Sequence, residues 1–215
     1  MRKSELDRSV QRNGAYVNLT ELSPKQRAKL FGMSLHDYNT MGAFHEAGHA
    51  VTARLLGLQF KTDVTINETA DAWGGLSVRV DPTEASYKAN LVCCWAGLAV
   101  DVKRGWYDQA KAISEDLPTV LYQTDKNDAD ATAPQLALFY SGRISTVDDF
   151  IGVELTKEER QNGEALSKAA FNEAKTMIDR HWNAISNVAK KLLRSRSLTQ
   201  DQVDHQINQH ELGAA

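Results

Sequence analysis

The 215-residue chain carries 25 basic and 28 acidic side chains, a formal charge of −3, with 42% apolar and 25% charged residues. That balance is ordinary for a folded globular domain and excludes a disordered or fibrous chain, and the lack of a basic block removes the electrostatic footprint of a nucleic-acid binder. The length suffices for one sizeable core that needs no staple.

No apolar segment follows the charges of "MRKSELDRSV", so the N-terminus does not read as a secretion signal. Residues 1–22 are polar around "AYVNL" and are expected to form an arm that docks or stays loose. "LSPKQRAKLFGMSLHDYN" reads as a short helix opened by Ser23 with Pro24 in its first turn, followed by a turn. Thr40 is expected to cap the next helix, where Ala43, Ala47, Ala50, Val51 and Leu55 form a stripe at helical spacing that ends near Gly57.

From Leu58 to Val80 the period changes to alternation. "LQFKTDVTI" and "GGLSVRV" read as two strands flanking the loop "NETADAWGG". Pro82 ends the second strand, and residues 84–104 are expected to form one helix with the face "ANLVCCWAGLAV". The ten-residue run "LVCCWAGLAV" is the longest apolar stretch and falls short of the ~20 residues that span a membrane. Its neighbours Cys93 and Cys94 are the only cysteines, and they read as small core residues in a reducing compartment, hence the cytoplasm.

Residues 105–133 hold a cluster of acids, and "PQLALFY" reads as a further short helix. The helical period is clearest from Leu166 to Leu192, with a turn near residues 180–183, and "SLTQDQVDHQI" reads as a capped terminal helix. The expectation is a mainly α (α+β) domain over residues 23–207 with a small antiparallel sheet, and a C-terminal tail at 208–215.

The stretch "FHEAGHAV", residues 44–51, carries the chemistry. On a helix His45 and His49 lie one turn apart and project from one face, so both can reach a single ion. Zinc takes neutral imidazole nitrogen and, in catalytic sites, three protein ligands with a fourth position for water. Glu46 would then stand beside that water as general base. Gly48 costs the helix roughly 1 kcal/mol relative to alanine, which calls for a close approach by another backbone or by substrate. A pair of merely structural histidines would share this pattern.

The third ligand is less determined. No x-x-G-x-x-H follows His49, Glu68 lies in the loop between probable strands, and His36, His181, His205 and His210 read as ordinary surface or core residues. The acid cluster "TDKNDADAT" is the best remaining source.

"FHEAGHAV" resembles the signature of the FtsH-type metallopeptidase domain, the zinc protease half of the membrane-bound ATP-dependent FtsH proteases. "WGGLSVRVDP" is similar to the strand that follows in that family, "CCWAGLAVDVKRG" to its next helix, "NDADA" to the segment that supplies an aspartate ligand, and "HWNAISNVAKKLLRSRSLTQDQV" to its closing helix pair. The resemblance covers roughly residues 24–207. It implies a helical zincin-like fold, zinc held by His45, His49 and Asp128, and Glu46 as general base. Because the glycine-rich lead into that aspartate is missing and Pro134 interrupts the helix expected after it, Asp125 stays an alternative and Asp116 a more remote one. Asp101 falls where the family tends to have a glutamate facing the site, although a solvent-facing acid is an equal reading.

The resemblance further implies an endopeptidase acting on unfolded or flexible polypeptide segments. No G-x-x-x-x-G-K-[ST] loop occurs in the sequence, so hydrolysis is expected to be ATP-independent or to borrow a separate unfolding partner, and self-association into homo-oligomers is expected by analogy. No nucleic-acid or membrane partner is expected. If "GGLSVRV" forms a sheet edge, Gly74, Gly75 and Leu76 would bind an extended peptide. The alternative is a zinc-fold binding or regulatory module that cleaves nothing or one dedicated partner.

Overall fold

The computed structural model describes residues 9–12, 15–18, 22–66, 74–113, 115, 117–146 and 153–212. Glu68, Asp116 and residues 67–73 of the loop between the two expected strands lie outside them. Within the polar arm, β1 (Ser9–Arg12) and β2 (Ala15–Asn18) pair antiparallel as a hairpin, with Val10 opposite Val17.

Ser23 opens α1 (Pro24–Leu30) through a capping box with Gln26, and Gly32 turns the chain at φ +67°. The long helix α2 (Leu35–Leu55) then starts earlier than expected. Ser34 caps it by accepting from the Asp37 amide, whereas Thr40 sits inside the helix with its hydroxyl donating back to the His36 carbonyl. Both residue types can cap, and the one with a free amide three positions on takes the role.

The expected pair of strands is present but broken. β3 (Gln59–Phe60) pairs with β6 (Val78–Arg79), and β4 (Val64–Ile66) pairs with β5 (Gly74–Gly75), all antiparallel. A contribution from far along the chain, β7 (Ser197–Leu198), lies on the other side of β4 and gives the order β5-β4-β7. Two residues of strand carry too little periodicity to be read from sequence.

The helix expected over 84–104 divides at Trp95 into α3 (Glu84–Cys94) and α4 (Ala96–Lys103). At the break the Trp95 amide tightens onto the Val92 carbonyl at 3.2 Å, and the indole is anchored by donating to Ser167 Oγ at 3.0 Å. Two short helices follow, α5 (Trp106–Ile113) and α6 (Leu117–Leu121). The acidic segment is itself helical. It forms α7 (Gln123–Tyr140), which runs through Pro134 where an interruption was expected. The carbonyl deprived of a partner there belongs to the exposed Asp130, where water can replace the lost amide, and a Cβ on Gly163 of the next helix would lie 3.6 Å from the Pro134 backbone, an ordinary contact.

α8 (Lys157–Arg180) opens with a Thr156–Glu159 capping box. A break at His181 leads into α9 (Trp182–Ser195), and α10 (Gln200–Leu212) is capped by Thr199, whose hydroxyl accepts from the Gln202 amide. The fold is thus mainly helical with small antiparallel sheets. The central core joins Ala47, Ala50 and Val51 of α2 to Ala96 and Val100 of α4, Ala133 and Leu136 of α7, Ala170 and Ala174 of α8, and Ile185 and Val188 of α9. Cys93 and Cys94 are buried and unbridged, as small core residues should be. Among the described residues, no helix is long and apolar enough to cross a membrane.

Helix α2 packs against α4 so closely that a Cβ on Gly48 would lie 2.7 Å from Val100 Cγ2 and 3.0 Å from the Ala96 carbonyl oxygen. That approach accounts for the mid-helix glycine. Gly48→Ala is therefore expected to lower stability by about 1–3 kcal/mol despite alanine's better helix propensity. Urea unfolding checks this, and an unchanged or raised midpoint would count against the packing described.

Candidate metal centre

The spacing of His45 and His49 places both rings on the face of α2 that meets α4, and their Nε2 atoms stand 3.1 Å apart. The outer nitrogens are both engaged. His45 Nδ1 lies 2.9 Å from Asp101 Oδ2, and His49 Nδ1 lies 2.8 Å from the Cys93 carbonyl oxygen. A carboxylate and a carbonyl accept here, so each ring carries a proton on Nδ1, and an ion that displaced the Nε2 protons would meet two lone pairs aimed at a common point. The Cys93 acceptor comes from the helix break, since the last-turn carbonyls of α3 lack intrahelical partners.

The carboxylate that joins them comes from the first turn of α7. Asp125 Oδ2 lies 3.2 Å from His45 Nε2 and Oδ1 lies 3.6 Å from His49 Nε2. His45, His49 and Asp125 form the one group of potential metal ligands among the described residues. Asp128, to which the family resemblance assigned the third position, stands about one turn further along the same helix with its side chain exposed, outside that group. Asp101 is fully buried and behind His45, not facing solvent. His36 and His205 are exposed and lie outside the group.

The donor set fits a tetrahedral cation. Separations of 3.1, 3.2 and 3.6 Å bracket the roughly 3.3 Å edge of a tetrahedron with ligand bonds of ~2.0–2.1 Å. Asp125 Oδ2 is buried without a well-formed hydrogen bond, as befits an atom aimed at an ion and not at a donor. The space is also preserved by a glycine. A Cβ on Gly97 of α4 would fall 2.4 Å from His45 Cε1 and from His49 Nε2. Gly97 was not singled out from sequence; its signal was its place among small residues in the apolar run "CCWAGLAV".

Electrostatics tie the same three residues together. Burial alone would depress His45, but Asp125 and Asp101 outweigh it and push the imidazole up to about 10. His49 is raised well above its ordinary value by Asp125 against the same burial. Asp125 is held below the usual carboxylate range, because His49 and His45 overcome its own desolvation. Glu46 is buried beside the cluster and does not join it; burial raises its pKa while His45 and His49 draw it back. Strand β5 crosses over this residue, and a Cβ on Gly74 would lie 2.8 Å from Glu46 Cγ and 2.0 Å from the Thr65 carbonyl oxygen. Gly75 beside it faces open space, and Leu76 is half-buried against the core.

A mainly helical fold presenting two imidazoles and a carboxylate to one point is the frame of a divalent-metal site. Over 176 aligned positions the chain is 27% identical to the ATP-dependent zinc metalloprotease FtsH 1 of Alkaliphilus metalliredigens, a match covering 75% of this chain. The chain spans about 28% of that relative's length. No family model matches the sequence.

Two outcomes are expected. Gly97→Ala should retain its helical circular dichroism yet weaken zinc affinity by about tenfold or more, because the new methyl group occupies the point the donors share. Full affinity in a chelator competition would contradict the placement. For the metal-free protein, a folded-state His45 pKa near 10 against about 6.5 unfolded means this pairing stabilises fully below about 6.5 and is lost as pH rises through 10. Tm of the metal-free protein should accordingly fall over that window; a flat profile would show that the His–Asp pairing contributes nothing.

Proposed function

We propose that the protein is a zinc-dependent endopeptidase that hydrolyses peptide bonds in unfolded or flexible polypeptide segments. The observation that carries this reading is the convergence of His45, His49 and Asp125 with Glu46 buried at their side. The similarity to a zinc metalloprotease supports it. Zinc is the cation suited to two imidazoles and a carboxylate, and when bound it would lower the pKa of a water molecule toward ~7 and polarise a substrate carbonyl.

The chain's own groups supply the rest. His45 and His49 would be metal ligands with their tautomers fixed by Asp101 and the Cys93 carbonyl, and Asp125 would be the third ligand in place of Asp128. Glu46 would take the proton of the attacking water and return it to the leaving nitrogen. Its burial favours this, because a carboxylate with a raised pKa gives up a proton less readily than an exposed one and can serve in both directions.

Strand β5 lies at the edge of its sheet, paired to β4. Edge backbone groups at Gly74, Gly75 and Leu76 would pair with an extended peptide and hold its scissile bond near Glu46, with the absence of a side chain at Gly74 letting the strand pass over that residue. A folded substrate cannot present such a strand, so locally unfolded segments are the substrate class. The 215 residues contain no phosphate-binding loop, and cleavage by them would draw on no ATP site of their own.

Glu46→Gln should keep stoichiometric zinc and lose about 10²- to 10⁴-fold in kcat on casein or flexible peptides, and chelation of zinc should abolish cleavage by the unaltered protein. If zinc-loaded protein leaves casein and a diverse peptide library intact and behaves as Glu46→Gln does, the endopeptidase reading is wrong and a non-cleaving binding module takes its place.

A further inference from the structure

The metal centre leaves one buried polar side chain without a role. Tyr122 is 4% exposed and sits immediately before α7, yet makes no side-chain cap hydrogen bond to that helix. Its ring lies nearly parallel to His45, with centroids 6.0 Å apart and planes 23° from each other. Tyr107 stacks on Tyr122 in turn at 5.9 Å and 27°. The Tyr122 hydroxyl interacts electrostatically with the carboxylate of Asp101 without a well-formed hydrogen bond to it, and Oδ2 of that carboxylate accepts from His45 Nδ1.

We propose that Tyr122 is a positioning residue of the metal centre, fixing His45 from two directions: by its ring face directly and by its hydroxyl through Asp101. The inference rests on the metal-site reading above. A carboxylate held by a single hydrogen bond can swing about its Cβ–Cγ axis. A second donor closing on Asp101, as the Tyr122 hydroxyl would when an ion is bound, would fix the plane of the carboxylate and so the line along which it draws the His45 Nδ1 proton. The stacked ring limits rotation of the imidazole about its own axis, and Tyr107 keeps the phenol from moving away. Orienting partners of this kind matter because metal affinity depends on the direction of the ligand lone pair.

The position of Tyr122 in the chain adds a further consequence. It lies three residues before Asp125, in the segment where α7 begins. The orientation of the first imidazole and the placement of the carboxylate therefore issue from one turn of chain. A shift of that turn moves both.

Zinc affinity measured by competition with a chromophoric chelator, together with the absorption spectrum of the cobalt-substituted protein, tests this. Tyr122→Phe keeps the ring and removes the hydroxyl. It should weaken zinc binding by about 10- to 100-fold, shift the cobalt bands, and leave Tm of the metal-free protein nearly unchanged. Asp101→Ala should weaken binding as well, and Tyr122→Phe should then add no further loss. Wild-type affinity and an unchanged cobalt spectrum in Tyr122→Phe would overturn the proposal. So would the same fold-loss in the Asp101→Ala background, which would show that the hydroxyl does not act through Asp101. Should Asp101→Ala fail to fold, affinity and cobalt spectrum of Tyr122→Phe decide by themselves. Absence of zinc binding by the unaltered protein would be a different result: it would sink the metal reading and this inference with it.

Discussion

Backbone contact between α2 and α4 is the constraint from which the rest of the site follows. Gly48 brings one helix onto the carbonyl of Ala96, and Gly97 brings the other onto both imidazoles. Two glycines at one crossing weaken each helix locally, by roughly 1 kcal/mol apiece. The close approach they allow lets Asp101, one turn after Gly97, reach His45 Nδ1, and sets the open carbonyl of Cys93 against His49. Larger residues at the crossing would separate the helices by more than a hydrogen bond can span. The imidazoles would then keep their spacing along α2 but lose the partners that direct them.

The cluster also shows why three like-minded ligands need the surrounding charges. Two imidazoles 3.1 Å apart repel if both are protonated, and a buried carboxylate is poorly solvated by itself. Together they offset one another, with Asp125 ionised and the rings raised. A cation replacing the ring protons would meet the same arrangement of donors. Metal binding and proton release would therefore be linked at this site, which is the general behaviour of His and carboxylate ligands.

Much of this was legible in the sequence, and the boundary is physical. The His45–His49 spacing is a property of one helical turn, so local sequence is enough to state it. The break at Trp95 and the β7 strand depend on partners distant in sequence: Ser167 for the indole and Val64 and Thr65 for β7. The choice between Asp125 and Asp128 is of the same kind. Both stand on α7 within a turn of each other, both look plausible by composition, and only the position at which α7 approaches α2 brings one of them to the imidazoles. Tyr122 had no motif to mark it, since its ring stacks on residues 15 or more positions away.

The site has an α2 half and an α7 half, which share the central core and are held mainly by different neighbours. Helix α2 is braced by α4, α9 and α10, and Arg54 near its end makes a two-pronged contact with Asp204 at 2.7 and 3.0 Å. Helix α7 is braced by α3 and α8, and Glu159 at the start of α8 draws in Arg143 and Ser141 just beyond the end of α7. Asp125 is the point at which these halves meet across the cluster. An ion bound there would add its own free energy to the folded state alone, in proportion to the logarithm of its concentration over its dissociation constant. It would therefore act as a clasp between the α2 and α7 halves, joining His45 and His49 to Asp125.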